Sequence, residues 1–140
     1  MEYNIKNWVL KENINDIKIL DITITQKLND LLIPVKDIET VIDWDKINPK
    51  YNFFYDYEGN EIDIPIKLKK SSINNYSKIL VDIGCGNPLV EVNTSIFIEK
   101  WENFVASNGY SGIVVFTNDG KFFIEFTDDS DYQLYSNFLI

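Results

Sequence analysis

The side chains of this sequence that could do chemistry are one thiol and a large set of carboxylates. Cys85 lies between two glycines in Val81–Gly86, VDIGCG, so its neighbours leave it accessible. A nucleophilic thiol needs a histidine or another base beside it to form the thiolate, and the chain contains no histidine. Cys85 therefore reads as an ordinary thiol at a turn. Twelve of the 22 acidic residues fall into three clusters. The first is Asp37, Glu39, Asp43 and Asp45 around Trp44; the second is Asp56, Glu58, Glu61 and Asp63 beside Tyr55 and Tyr57. The third is Glu125, Asp128, Asp129 and Asp131. None has the ligand spacing of a calcium loop, which needs D-x-[DN]-x-[DN]-G and a glutamate further on. Asp129 and Asp131 supply two positions before Tyr132 interrupts the pattern. A pair of carboxylates could also serve as general acid and base, but only if the fold converges them in a cleft.

The same VDIGCG stretch resembles the opening motif of the class I S-adenosylmethionine-dependent methyltransferases, in which an apolar strand runs into D/E-x-G-x-G. That resemblance implies a crossover helix almost directly after the turn. The chain instead continues NPLVEVN, where Asn-Pro marks a turn and Leu89–Val92 is short and β-branched. Lys78–Val92 is thus expected to be two core strands joined by a Gly-Asn-Pro turn, with Gly84 and Gly86 shaping the turn. Asp82 would be exposed or would cap it.

Elsewhere, Ile17–Ile24 alternates like a strand, whereas Ile24, Leu28, Leu31 and Leu32 share one helical face, so a short helix ending before Pro34 is an equal alternative. Val35, Ile38, Val41 and Ile42 recur at helical spacing. Asn52–Tyr57 and the following IDIPIKL suggest a hairpin about EGNE. Alternation along NFFYDY points Phe54, Asp56 and Glu58 outward and leaves Tyr55 and Tyr57 partly buried. Phe97, Ile98, Trp101, Phe104 and Val105 form one apolar face of a helix that starts among Asn93, Thr94 and Ser95 and stops at Gly109. Two β-rich runs then flank Asp119-Gly120, the residues of a two-residue type I′ hairpin. The tail YQLYSNFLI can add a third strand. The expected fold is a single α+β domain over residues 1–140, a largely antiparallel sheet packed with one to three helices.

Composition bounds the partners. With 13 basic residues, all lysines, against 22 acids, the net charge is −9 and the pI about 4.4. This excess of carboxylates opposes nucleic-acid binding, where lysines and arginines neutralise phosphates. It favours a cationic partner instead. No run approaches the roughly 18 apolar residues of a membrane span. MEYNIKNWVL lacks the basic and apolar regions of a secretory signal, and a single cysteine suits a reducing cytoplasm. No cofactor or metal is expected, and the oligomeric state is not legible.

Carboxylates interleaved with aromatics, as in WDKINPKYNFFYDYEGNEID, are what a binder of a basic surface presents. In size, acidity, α+β layout and its ending of amphipathic helix, VVFTNDGKFFIEF hairpin and DDSD, the chain resembles the cytoplasmic immunity proteins of bacterial polymorphic toxin and contact-dependent growth inhibition systems. The resemblance implies a non-enzymatic protein that neutralises one cognate toxin domain, often a nuclease, by docking on its basic active-site cleft. The residues expected at that contact are Trp44, Asp56, Glu58, Glu61, Asp63, Asp128, Asp129 and Asp131. Two other readings stay open: a phage-type acidic inhibitor of a host nucleic-acid-binding protein, and the small methyltransferase.

Overall fold

Strands that read as near-continuous apolar runs belong in the middle of a sheet covered on both faces, and Ile113–Phe116 and Phe123–Phe126 take that place. The computed structural model describes residues 6–36, 40–55, 63–84, 86–109, 111–127 and 133–140. Seven strands form one antiparallel sheet: β1 (Ile17–Ile19), β2 (Tyr51–Phe54), β3 (Lys78–Asp82), β4 (Val90–Asn93), β5 (Ile113–Phe116), β6 (Phe123–Phe126) and β7 (Gln133–Ser136), in the order β1-β4-β3-β5-β6-β7-β2. Every position of β5 and β6 is buried, while the edge strands β1 and β2 are half-buried at best. The expected α+β fold with an antiparallel sheet is what forms. Five short helices accompany it, rather than one to three.

Successive side chains on a strand face opposite ways, so the sheet sorts its apolar residues into two cores. On one face Ile79, Val81, Val115, Ile124, Phe126 and Leu134 pack against α1 (Trp8–Glu12), α3 (Asp63–Lys70), α4 (Thr94–Glu99) and α5 (Trp101–Ala106). Aromatic rings fill this core: Trp101 stacks on Phe126 at 5.9 Å between centroids, and Tyr55 meets Phe126 edge-on at 5.1 Å. On the other face Leu80, Val114, Phe116 and Phe123 lie under α2 (Ile24–Asp30) and the irregular stretch that carries Ile33, Ile42 and Trp44.

The two readings of the 17–32 region both hold in part, because β1 ends at Ile19 and α2 begins at Ile24. The expected C-terminal helix is broken at Lys100 (φ −113°) into α4 and α5, yet Phe97, Ile98, Trp101, Phe104 and Val105 are all buried as its periodicity required. Lys100 uses the break to donate from Nζ to Asn13 Oδ1 at 2.8 Å. Gly109 ends the segment at φ +71°. β7 adds the expected third strand beside β6.

Three local expectations are corrected. Val35 and Ile42 are not on a helix; they face each other across an antiparallel bridge, and Lys36 N–H donates to the Val41 carbonyl at 2.8 Å. Their seven-residue separation imitates two helical turns, although it comes from the two arms of a loop. Ile38 lies outside the described residues. Next, IDIPIKL is not the second arm of a hairpin, since Asp63–Lys70 is α3 and β2 pairs with β7 instead. Ile64 and Leu68, four apart, form the buried stripe of that helix. Pro65 sits in the first turn, where an N–H has no helical acceptor. Asp63 at the start and Lys67, Lys69 and Lys70 in the last turn complement the helix dipole. Finally, the β5–β6 turn is longer than a type I′ pair. Thr117 N–H donates to Phe122 O at 3.0 Å, Gly120 N–H donates to Thr117 O, and only Gly120 (φ +73°) takes the left-handed conformation.

Candidate functional site at one end of the sheet

Antiparallel pairing gathers alternate loops at the same end of a sheet. Here the register Asp82↔Val114, Ile113↔Phe126, Phe126↔Leu134 and Phe54↔Gln133 puts five chain ends side by side. They are the end of β3, the start of β5, the end of β6, the start of β7 and the end of β2. In the sequence, two of the three acidic clusters adjoin the described residues at this end. Tyr55, fully buried, donates from its hydroxyl to the Thr127 carbonyl at 2.6 Å, and Thr127 N–H in turn donates to Gln133 O at 2.8 Å. The chain is thereby pinned just before Asp56, just before Asp128 and just after Tyr132. The outward direction expected for this strand is met where it is described: Phe54 is 60% exposed while Tyr55 is buried.

Of the residues expected at the contact, Asp56, Glu58, Glu61, Asp128, Asp129 and Asp131 lie outside the described residues, as does Cys85. Asp63 is exposed at the first position of α3. Trp44 is placed differently from an exposed anchor: it is 5% exposed, stacked on Tyr135 at 5.6 Å, and its Nε1–H donates to Glu125 Oε1 at 3.0 Å. From the first cluster, Asp43 and Asp45 make surface ion pairs with Lys46 and Lys36.

Two carboxylates are not on the surface at all. Asp82 and Glu125 flank Val114 across three adjacent strands and so share the sheet face under Val41 and Trp44. Glu125, 4% exposed, accepts from Val41 N–H at 2.8 Å, Ile42 N–H at 3.0 Å and Trp44 Nε1–H. It clamps the 41–44 stretch onto the sheet. Burial raises its pKa, the three donors oppose that rise, and the charge of Asp82 adds to it. Asp82, 6% exposed, is not on the surface; it accepts from the Gly84 N–H in the turn, which is the capping alternative, but from inside the fold. Burial pushes its pKa up to about 6, opposed only by the Gly84 N–H. No ion pair involves either carboxylate among the described residues.

Asp82 and Glu125 line a cavity of about 150 Å³ together with Val41, Ile113, Val114 and Phe126, and its rim is formed by Gly84, Asn108, Ser111 and Thr127. Asn108 holds the rim together. Its Nδ2 donates to both Ile83 O and Gly112 O at 2.7 Å, and its Oδ1 accepts from Ser111 N–H. Gly112 has φ +110°, and a Cβ there would stand 2.9 Å from the Phe126 carbonyl. Gly112→Ala is therefore expected to lower stability by about 1–3 kcal/mol, the cost of backbone strain at such a position. A urea midpoint unchanged from the parent would contradict this.

Both buried acids carried a signal in the sequence. Each stands alone inside an apolar run, ILVDIG and FIEF, and runs of that kind are buried on both sides. Glu125 stands next to the acidic tail in sequence, yet it shares a parity, and hence a face, with Phe123. Among the described residues no three histidine, cysteine or acidic side chains are grouped to hold a metal ion, and no helix is long and apolar enough to cross a membrane. Gly84 (φ +69°) and Gly86 (φ +78°) shape a turn between antiparallel β3 and β4. In this fold the D-x-G-x-G stretch leads into a strand and not into a crossover helix. Comparison with protein-family models and with curated proteins finds no match to this chain.

Proposed function

We propose that this chain is an immunity protein that binds and neutralises a cognate toxin domain, a nuclease in the leading case, by presenting the acidic end of its sheet to a basic cleft in the cytoplasm. The observation that carries this reading is the pinning of Tyr55 to Thr127 and of Thr127 to Gln133. It holds together the described residues at which two lysine-free stretches of the sequence, Asp56–Asp63 and Asp128–Asp131, begin. Carboxylates concentrated in these two sequence stretches would supply a potential that steers a cationic partner. The immunity-protein resemblance supplies the class of partner, and the lack of arginine and histidine fits a binder of positive charge.

The test is charge reversal with the toxin gene drawn from the neighbouring reading frame. Replacing Asp56, Glu58 and Glu61 by Lys, or Asp128, Asp129 and Asp131 by Lys, should abolish protection in cells while leaving thermal unfolding nearly unchanged. The association rate of the parent pair should fall about tenfold or more between low and physiological salt. Full protection by both triple variants overturns the acidic-docking mechanism. Recovery of a host nucleic-acid-binding protein as the sole partner would favour the phage-type inhibitor instead.

A further inference from the structure

A buried carboxylate without a counter-charge is costly, and proteins retain one where something is meant to meet it. Asp82 and Glu125 are equally buried neighbours with opposite hydrogen-bond states. Glu125 accepts three N–H donors from the 41–44 stretch. Asp82 has the Gly84 N–H alone among the described residues, although a carboxylate offers about four acceptor sites. Its remaining acceptor capacity faces the cavity. The other polar groups there are already occupied: Asn108 bonds Ile83 O, Gly112 O and the Ser111 N–H, Thr127 Oγ1 donates to Gln133 O, and Gly84 O accepts twice from Asn87.

Size narrows the occupant. At about 150 Å³ the cavity holds one group of roughly benzene dimensions. That is well below the roughly 300 Å³ at which pockets for drug-sized molecules and cofactors begin. The walls from Val41, Ile113, Val114 and Phe126 suit methylene groups, with one carboxylate as the polar target. A long cationic side chain has that composition, an apolar stem and a charged head. Arginine fits better than lysine, because its guanidinium is more weakly hydrated and its planar fork matches a carboxylate. The rim residues lie at the same end of the sheet as the anchors of the acidic segments.

We propose that this cavity is a subsite for one arginine side chain of the protein partner, with the Asp82 carboxylate as its acceptor. The identity of the partner rests on the toxin-binding reading above; the cavity and its preference rest on the geometry of this chain alone. The acidic segments would guide the encounter, and Asp82 would fix its register by accepting one buried guanidinium.

The isolated chain tests the subsite without any toxin. Methylguanidinium chloride is titrated against it, with sodium chloride at equal ionic strength as reference, and the amide signals of Gly84, Ser111 and Thr127 are followed. Saturable shifts at those three amides are expected. In Asp82→Asn the apparent affinity should fall at least about tenfold, the worth of one charge-assisted hydrogen bond. Glu12→Gln, on the exposed side of α1, should leave it unchanged. A titration with methylammonium chloride should saturate more weakly than methylguanidinium. Shifts that never saturate, saturation equal in Asp82→Asn, or shifts confined to other parts of the chain overturn the subsite. Failure here leaves the charge-reversal test standing, and failure there leaves this one standing, so the two readings can fall separately.

Discussion

Asp82→Asn should make this protein more stable at neutral pH, by as much as about 3 kcal/mol. The ordinary aspartate value of 3.8 is raised to about 6 by burial, so at pH 7 the folded chain holds a charge that it would rather protonate. The native state binds the proton more tightly than the unfolded chain between those two values. Stability contributed by this group is therefore complete below about pH 4 and is lost as the pH rises towards 6. Asparagine keeps an oxygen for the Gly84 N–H and carries no charge. The variant's advantage in urea midpoint should be near zero at pH 4, should grow through pH 5, and should level off above pH 6. A variant less stable than the parent at pH 7, or an advantage that does not change with pH, would contradict this account. A site that weakens its own scaffold when unoccupied is what a binding group retained for function looks like.

Glu125→Ala should act in the opposite direction and more severely. Truncation removes the acceptor for Val41 N–H, Ile42 N–H and Trp44 Nε1–H together. Buried donors left unsatisfied cost about 1–3 kcal/mol each, so a loss on the order of 3–5 kcal/mol is expected. Trp44 should report it directly, because its ring lies against Phe123 and Tyr135 and its fluorescence should shift towards that of exposed indole. Glu125→Gln, which keeps one oxygen, should lose less than half as much. If Glu125→Ala unfolds at the parent's urea midpoint, the clamp is not a stabilising feature.

The elements legible in the sequence were those governed by local pattern. IVVF and FIEF announced a hairpin, and NPLVEV after the glycine turn announced a strand where a helix would have been needed for a cofactor fold. The apolar face from Phe97 to Val105 was correct even though the helix breaks at Lys100. Long-range pairing was not legible. Nothing local tells Tyr51–Phe54 to seek residues 133–136 in place of the nearby IDIPIKL, whose apolar residues at alternate positions also put Ile64 and Leu68 on one helical stripe. The Val35/Ile42 spacing was misread for the same reason, since residues seven apart meet either along a helix or across a loop. The meeting of Tyr55, Thr127 and Gln133 follows from strand register, which composition does not encode. Asp82 and Glu125 were missed as a pair because they stand 43 residues apart and meet only across Val114.

The order of the strands has a consequence for how the chain comes into being. The five inner strands, β4-β3-β5-β6-β7, are drawn from residues 78–136, whereas both outer strands, β1 and β2, come from the first 54 residues. Ile17 lies opposite Val92, and Tyr51 opposite Ser136. A ribosome makes the outer strands first, before a single partner for either exists. The early half also carries Leu10, Leu28 and Ile42, whose burial waits on a sheet not yet synthesised. The sheet closes only when β7 has left the exit tunnel, because β7 is the strand against which β2 is seated.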